Sequence, residues 1–180
     1  MATAPSYLTV DQFERLYGHK KPYYEYWYGE AIQKPRATLL HSYIQGLLFM
    51  FLKSFGWRVG TEVTLRISPV AHPIPDLAAD PGHIEGPYPS KPVALCIEIL
   101  SPQDDLRQVV RKAAHYLDWG IKQVWIIDPQ DRRAFSMSLD SPAPVEIPSD
   151  GRLVAGPESE ISISLSELFA EADKMLNRSV

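Results

Sequence analysis

The sequence predicts an α/β domain in which a mixed β-sheet is flanked by α-helices. Three observations predict it. "VALCIEIL" (Val93–Leu100) and "QVWIIDP" (Gln123–Pro129) are apolar almost throughout, as central strands covered on both faces must be. Between them "DDLRQVVRKAAHYLDWG" reads as an amphipathic helix, which makes a strand–helix–strand unit. The chain has 180 residues, 45% apolar and 22% charged, which suits one domain over 1–180 with a sizeable core.

The elements follow in order. A short helix spans Thr9 to Tyr17, with Thr9 and Gln12 at capping-box spacing and Gly18 as the stop. "YYEYWYGEAIQK" reads as two short aromatic-rich strands around a turn near Gly29. "TLLHSYIQGLLFMFLKSFG" is a helix: Leu40, Ile44, Leu47, Leu48 and Phe51 recur at three- and four-residue spacing, and Gly56 ends it. "WRVGTEVTLRIS" reads as one or two strands. Pro69 to Pro92 is rich in Pro and Gly, with Asp76 in an extended segment near its start. In the helix after "VALCIEIL" the core stripe is Leu106, Val109, Val110, Ala113 and Leu117, and Gly120 stops it. "RRAFSMSL" reads as the antiparallel neighbour of "QVWIIDP", "SDG" near Gly151 as a turn, and a last helix starts at a Ser164–Glu167 capping box.

Composition excludes several classes. The formal net charge is −4, so any basic footprint for nucleic acid is local. The lone Cys96 cannot form an internal disulfide and reads as a small buried hydrophobe. The N-terminus lacks the pattern of a signal peptide, and the longest apolar run, "LLFMFL", is too short to span a membrane. A cytoplasmic protein without membrane contact is expected. Zinc-type His/Cys spacing, a phosphate-cradling glycine loop and a G-x-S-x-G turn do not occur in the sequence.

Glu98 interrupts an otherwise apolar strand. Alternation puts it on one face with Cys96 and Leu100, and Leu95, Ile97 and Ile99 on the other. A carboxylate there needs a partner, because an unpaired buried charge costs several kcal/mol or neutralises. One reading pairs it with an arginine or leaves it at an exposed strand end. The other joins it to Asp76 as an oxygen site for a hard divalent cation such as magnesium, which could activate water at a phosphodiester. On the following helix, Asp105, Lys112 and Tyr116 fall on one flank of the apolar stripe. Lys112 either reaches back towards Glu98 or snorkels over apolar surface.

These residues carry a family likeness. "YYEYWYGE", His41, "PDLA", "CIEILSPQDDLRQVVRKAAHYLDWGIKQVWIIDP" and "ISLSELF" resemble, in order, the pattern of the bacterial Uma-type restriction endonucleases. That family belongs to the PD-(D/E)xK nuclease superfamily, and the likeness covers nearly the whole chain. It implies a restriction-endonuclease-like core. It implies that Asp76 and Glu98 bind Mg2+ or Mn2+ with the carbonyl of Ile99, and that Glu25 is an auxiliary acid. The superfamily pattern has lysine two residues after the second acid, where this chain has Leu100. The Uma-type pattern keeps a lysine on the next helix, here Lys112, to position water and stabilise the transition state.

The function so implied is a metal-dependent endonuclease acting on DNA. The rival is a non-catalytic relative of the fold that binds nucleic acid or protein. Tyr116 reads either as core or as a hydrogen-bond donor to a site acid. His41 reads as structural and Asp128 as a turn former. Phosphate contacts are expected from Lys20–Lys21, Lys34 with Arg36, Arg107 with Arg111, or Arg132–Arg133. A homodimer is expected by analogy with endonucleases that cut both strands.

Overall fold

The computed structural model describes residues 7–155 and 161–177. Helix α1 (Val10–Tyr17) is followed by strands β1 (Tyr24–Trp27) and β2 (Glu30–Gln33), then by α2 (Leu39–Ser54). Next come β3 (Arg58–Thr61), β4 (Ala71–His72), β5 (Leu77–Asp80) and β6 (Leu95–Ile99). Helix α3 (Leu106–Trp119) leads to β7 (Gln123–Asp128), β8 (Arg133–Ser138) and β9 (Val145–Ile147). The chain closes with β10 (Arg152–Ala155), β11 (Ile161–Ser164) and α4 (Leu165–Asn177).

The main sheet is mixed and six-stranded, in the order β3-β5-β6-β7-β8-β9. Only β6 and β7 pair in parallel, and α3 is the crossover between them. Two smaller sheets flank it, β2-β1-β4 and β10-β11. The mixed α/β architecture is the one expected. "WRVGTEVTLRIS" supplies one strand, β3, and the Pro-rich stretch after it holds β4 and β5.

Both faces of the sheet are covered. Leu95, Ile97, Ile99, Trp125 and Ile127 pack with Ile44, Leu48 and Leu52 of α2 and with α4. Cys96, Leu100, Val124 and Ile126 pack on the other side with Val109, Ala113, Tyr116 and Leu117 of α3. Alternation along β6 therefore puts the Glu98 face against α3. A fully buried Leu or Ile contributes about 1.5–3 kcal/mol. These layers therefore hold the sheet firmly enough to fix a polar site at the ends of its inner strands.

Local signals work as written. Thr9 and Gln12 form the reciprocal capping box of α1. Asp105 caps α3 by accepting from the Arg107 N–H, and Gly120 ends that helix at φ 109°, in the left-handed region. Asp105 is thus a helix cap. Ser164 Oγ accepts from the Glu167 N–H at the start of α4. Among the described residues no helix is long and apolar enough to cross a membrane.

Candidate active site

The β5–β6 ladder ends at the pair Leu77–Ile97. One residue further, Asp76 comes opposite Glu98, on the same face. Both carboxyls are buried. The Asp76 carbonyl is held from two sides, by the Glu62 N–H at 3.2 Å and by Gln45 Nε2 at 2.9 Å.

Asp76 Oδ1 accepts from Lys34 Nζ at 2.8 Å, and Oδ2 accepts from the Ile99 N–H at 2.7 Å. His41 Nε2 lies 3.4 Å from Oδ2. Glu98 Oε1 accepts from the Tyr116 hydroxyl at 2.7 Å. Lys112 Nζ spans both Glu98 oxygens, at 2.9 Å from Oε1 and 3.0 Å from Oε2. Lys112 also donates to Glu25 Oε1 at 2.5 Å. The other Glu25 oxygen accepts from Trp27 Nε1 at 2.9 Å.

Ile74 ties these groups together. Its N–H donates to Glu25 Oε1 at 2.9 Å, and its carbonyl accepts from both Lys34 (2.9 Å) and Lys112 (3.2 Å). Two ammoniums on one carbonyl repel each other, so the surrounding acids must hold them there. Three carboxylates face two ammoniums, which leaves one excess negative charge when all are ionised.

The two main acids titrate apart. Burial pushes Asp76 up, but the Lys34 ammonium and the His41 ring outweigh it and hold the carboxyl well below the usual range. Burial pushes Glu98 up to about 7, against the pull of Lys112 and with help from Asp76. Burial pulls Lys112 down, but Glu25 and Glu98 more than reverse this. Lys112 therefore stays charged at neutral pH, and its chemistry is that of a fixed cation and donor. Lys34 is raised as well, burial being outweighed chiefly by Asp76.

The donor set suits a hard cation. Asp76 and Glu98 present carboxylate oxygens, and the Ile99 carbonyl lies on the strand edge from which its N–H reaches Asp76. Among the described residues no group of three or more His, Cys, Asp or Glu is arranged to hold a metal. Magnesium does not require one, since it binds through one or two carboxylates and keeps several waters. The excess negative charge also favours a cation. In this arrangement the ammoniums hold the acid oxygens, so a metal would exchange with them.

The structure thus brings Asp76, Glu98, Lys112 and Glu25 into one cluster beside the Ile99 backbone. Tyr116 is both core and site, being fully buried and bonded to Glu98. His41 faces Asp76. Asp128 is a turn former, its Oδ1 accepting from the Gln130 and Asp131 N–H groups.

Lys34, expected with Arg36 as a phosphate contact, has its ammonium inside the site, on Asp76. A sequence signal existed for it. A two-residue turn at Tyr28–Gly29 sets Trp27 opposite Glu30, which carries Lys34 to the level of Tyr23, on the Glu25 face. Arg132 and Arg133 are engaged in ion pairs with Asp173 and Glu146. Lys20 and Lys21 lie over the rings of Tyr17 and Tyr23.

A cleft of about 470 Å³ opens onto the cluster, lined by the three acids, both lysines and His41. The mixed sheet, with its acid pair where β5 and β6 diverge, defines a restriction-endonuclease-like α/β fold. The profile of the Uma2 family, described as "Putative restriction endonuclease", matches residues 10–166, and the chain belongs to that family. The fold is shared with the crystal structure of a "putative nuclease belonging to DUF820" from Anabaena variabilis. The two are 23% identical with a TM-score of 0.83, over 92% of this chain and 99% of the other. No curated protein matches the chain significantly.

Proposed function

We propose that this chain is a metal-dependent endonuclease that hydrolyses phosphodiester bonds in DNA. The observation that carries the reading is the convergence of Asp76 and Glu98 with two part-buried lysines in one cleft. Family membership supports nuclease chemistry. Asp76, Glu98 and the Ile99 carbonyl would hold Mg2+ or Mn2+. The ion would stabilise charge on the phosphodiester and lower the pKa of a bound water.

The chain's own groups divide the remaining work. Lys112, permanently cationic, orients the attacking water and balances the charge that builds on phosphorus. Lys34 offers a second ammonium beside Asp76 for a phosphate oxygen. Tyr116 holds Glu98 in one rotamer, and Trp27 does the same for Glu25. Glu98, whose carboxyl burial pushes up to about 7, would be held ionised by a bound divalent cation. Residues 1–180 act as one domain in the cytoplasm.

The test is cleavage of supercoiled plasmid and single-stranded DNA with Mg2+ or Mn2+. Wild type is compared with Asp76→Asn and Glu98→Gln, which keep the side-chain shapes. Metal-dependent cleavage should fall at least about a hundredfold in both variants. Equal activity in all three proteins points to a contaminant. No cleavage by any of them favours the non-catalytic relative.

A further inference from the structure

We propose that the exposed ring of Tyr28, bordered by the tilted rings of Trp27 and His115, stacks one unpaired nucleobase beside the acid cluster. The strand being cut is then single-stranded or locally unpaired. This rests on the nuclease reading and names its substrate class.

The three rings form one group. Centroids lie 5.1 Å apart for Trp27 and His115, 6.0 Å for Tyr28 and His115, and 6.4 Å for Trp27 and Tyr28. All three line the cleft that contains Glu25, Asp76 and Glu98. Their position relative to the acids is tied down. The Trp27 indole N–H bonds Glu25, and the other Glu25 oxygen bonds Lys112. His115 lies three residues beyond Lys112 on α3, close to one helical turn.

Tyr28 is the unusual member. It is 55% exposed. It sits at the tip of the β1–β2 hairpin with φ 51°, in the left-handed region, followed by Gly29 at φ 94°. Asn, Asp or Gly suit the first position of such a turn, and a large aromatic there is strained. Its backbone is held by an N–H bond to the Val70 carbonyl at 2.6 Å. The fold gains little burial from this ring, so its place in the cleft points to something it meets there.

Charge favours the same occupant. The chain is acidic overall, and Arg132 and Arg133 are taken up by Asp173 and Glu146. Long tracking of a duplex backbone needs a row of cations. Stacking needs only a ring face, tolerates any base and draws little on charge. Arg111, which lines the same cleft, is placed to meet a phosphate next to the stacked base.

The test is binding by the full chain of a fluorescein-labelled dT12 strand and of its duplex with dA12, read by anisotropy in EDTA. Wild type should prefer the single strand. Tyr28→Gly, which relieves the backbone strain, should weaken single-strand binding about tenfold and leave its salt dependence unchanged. His115→Ala should act in the same direction, and Tyr28→Phe should retain binding. The platform is overturned by no preference for the single strand, by less than a twofold effect of both truncations, or by equal losses on single strand and duplex. Metal-free binding separates the two claims. Stacking without cleavage sinks only the nuclease reading, and cleavage of single strands undiminished by Tyr28→Gly sinks only the platform.

Discussion

Replacing Lys112 by Met should destabilise the metal-free protein by about 3 kcal/mol. The ammonium donates to Glu25, to both oxygens of Glu98 and to the Ile74 carbonyl. Its side chain is 14% exposed, and those of Glu25 and Glu98 are 7% exposed each. Removing one partner of a buried pair costs about 3–5 kcal/mol, because the other charge stays behind. Met keeps most of the stem volume, so the cavity contribution is small. The low end applies because Glu98 keeps the Tyr116 hydroxyl, and Glu25 keeps Trp27 and the Ile74 N–H. For a chain of this size about 3 kcal/mol corresponds to a fall in Tm of roughly 6–12 °C. Urea unfolding followed by far-UV circular dichroism, at pH 7.5 in EDTA, measures it. The gap should narrow at pH 5, where Glu98 is protonated in both proteins, and adding Glu98→Gln should recover part of the loss. A loss below about 1 kcal/mol at pH 7.5 would refute the argument, since Lys112 would then be an ordinary surface ion pair.

Further outcomes follow from the same cluster. The folded-state pKa of Glu98 lies above its value of 4.5 in the free side chain, at about 7. Its contribution is therefore fully present below pH 4.5 and is lost as pH rises through about 7. Asp76, held below its free value, acts oppositely, losing its contribution as pH falls through the acid range. Melting curves of metal-free protein from pH 4.5 to 8 should show a downward trend that Glu98→Gln flattens, and parallel profiles would contradict this assignment. Saturating Mg2+ should raise the wild-type Tm by several degrees, since a ligand at a hundred times its Kd adds about 2.7 kcal/mol. Asp76→Asn should abolish that rise and Lys112→Met should enlarge it, because the ammonium competes for Glu98. An unchanged response in Asp76→Asn would remove Asp76 from the metal site.

Much of the site was legible one residue at a time. Glu98 stands out because it breaks an apolar strand, and period-two alternation already assigns it to the Cys96–Leu100 face, which α3 covers. The place of Lys112 at the edge of the α3 stripe left it between reaching Glu98 and snorkelling, and the structure puts its ammonium on Glu98. Tyr116 was harder, since an aromatic on a helix shoulder fits both core and site. The structure gives it both roles through a 2.7 Å bond from a fully buried ring. Lys34 was read with Arg36 as a phosphate contact, without its bond to Asp76. Only the hairpin register turns it inward. His41 was placed near a helix start and read as structural, and the structure brings its ring to 3.4 Å from Asp76.

The sequence by itself determined the β6–α3–β7 unit, the caps of α1 and α3 and the turn at Asp128, and it marked Glu98 and Asp76 as candidate acids that the family resemblance paired. Each depends on neighbours within a turn or a strand, where periodicity and capping chemistry act directly. Only the tertiary structure decided which groups those acids meet. Lys34 reaches Asp76 across 42 positions of chain, and Lys112 reaches Glu25 across 87. No local pattern encodes such pairings. They depend on how the β1–β2 hairpin and α3 pack over the end of the main sheet, and packing is fixed by the summed burial of both core layers.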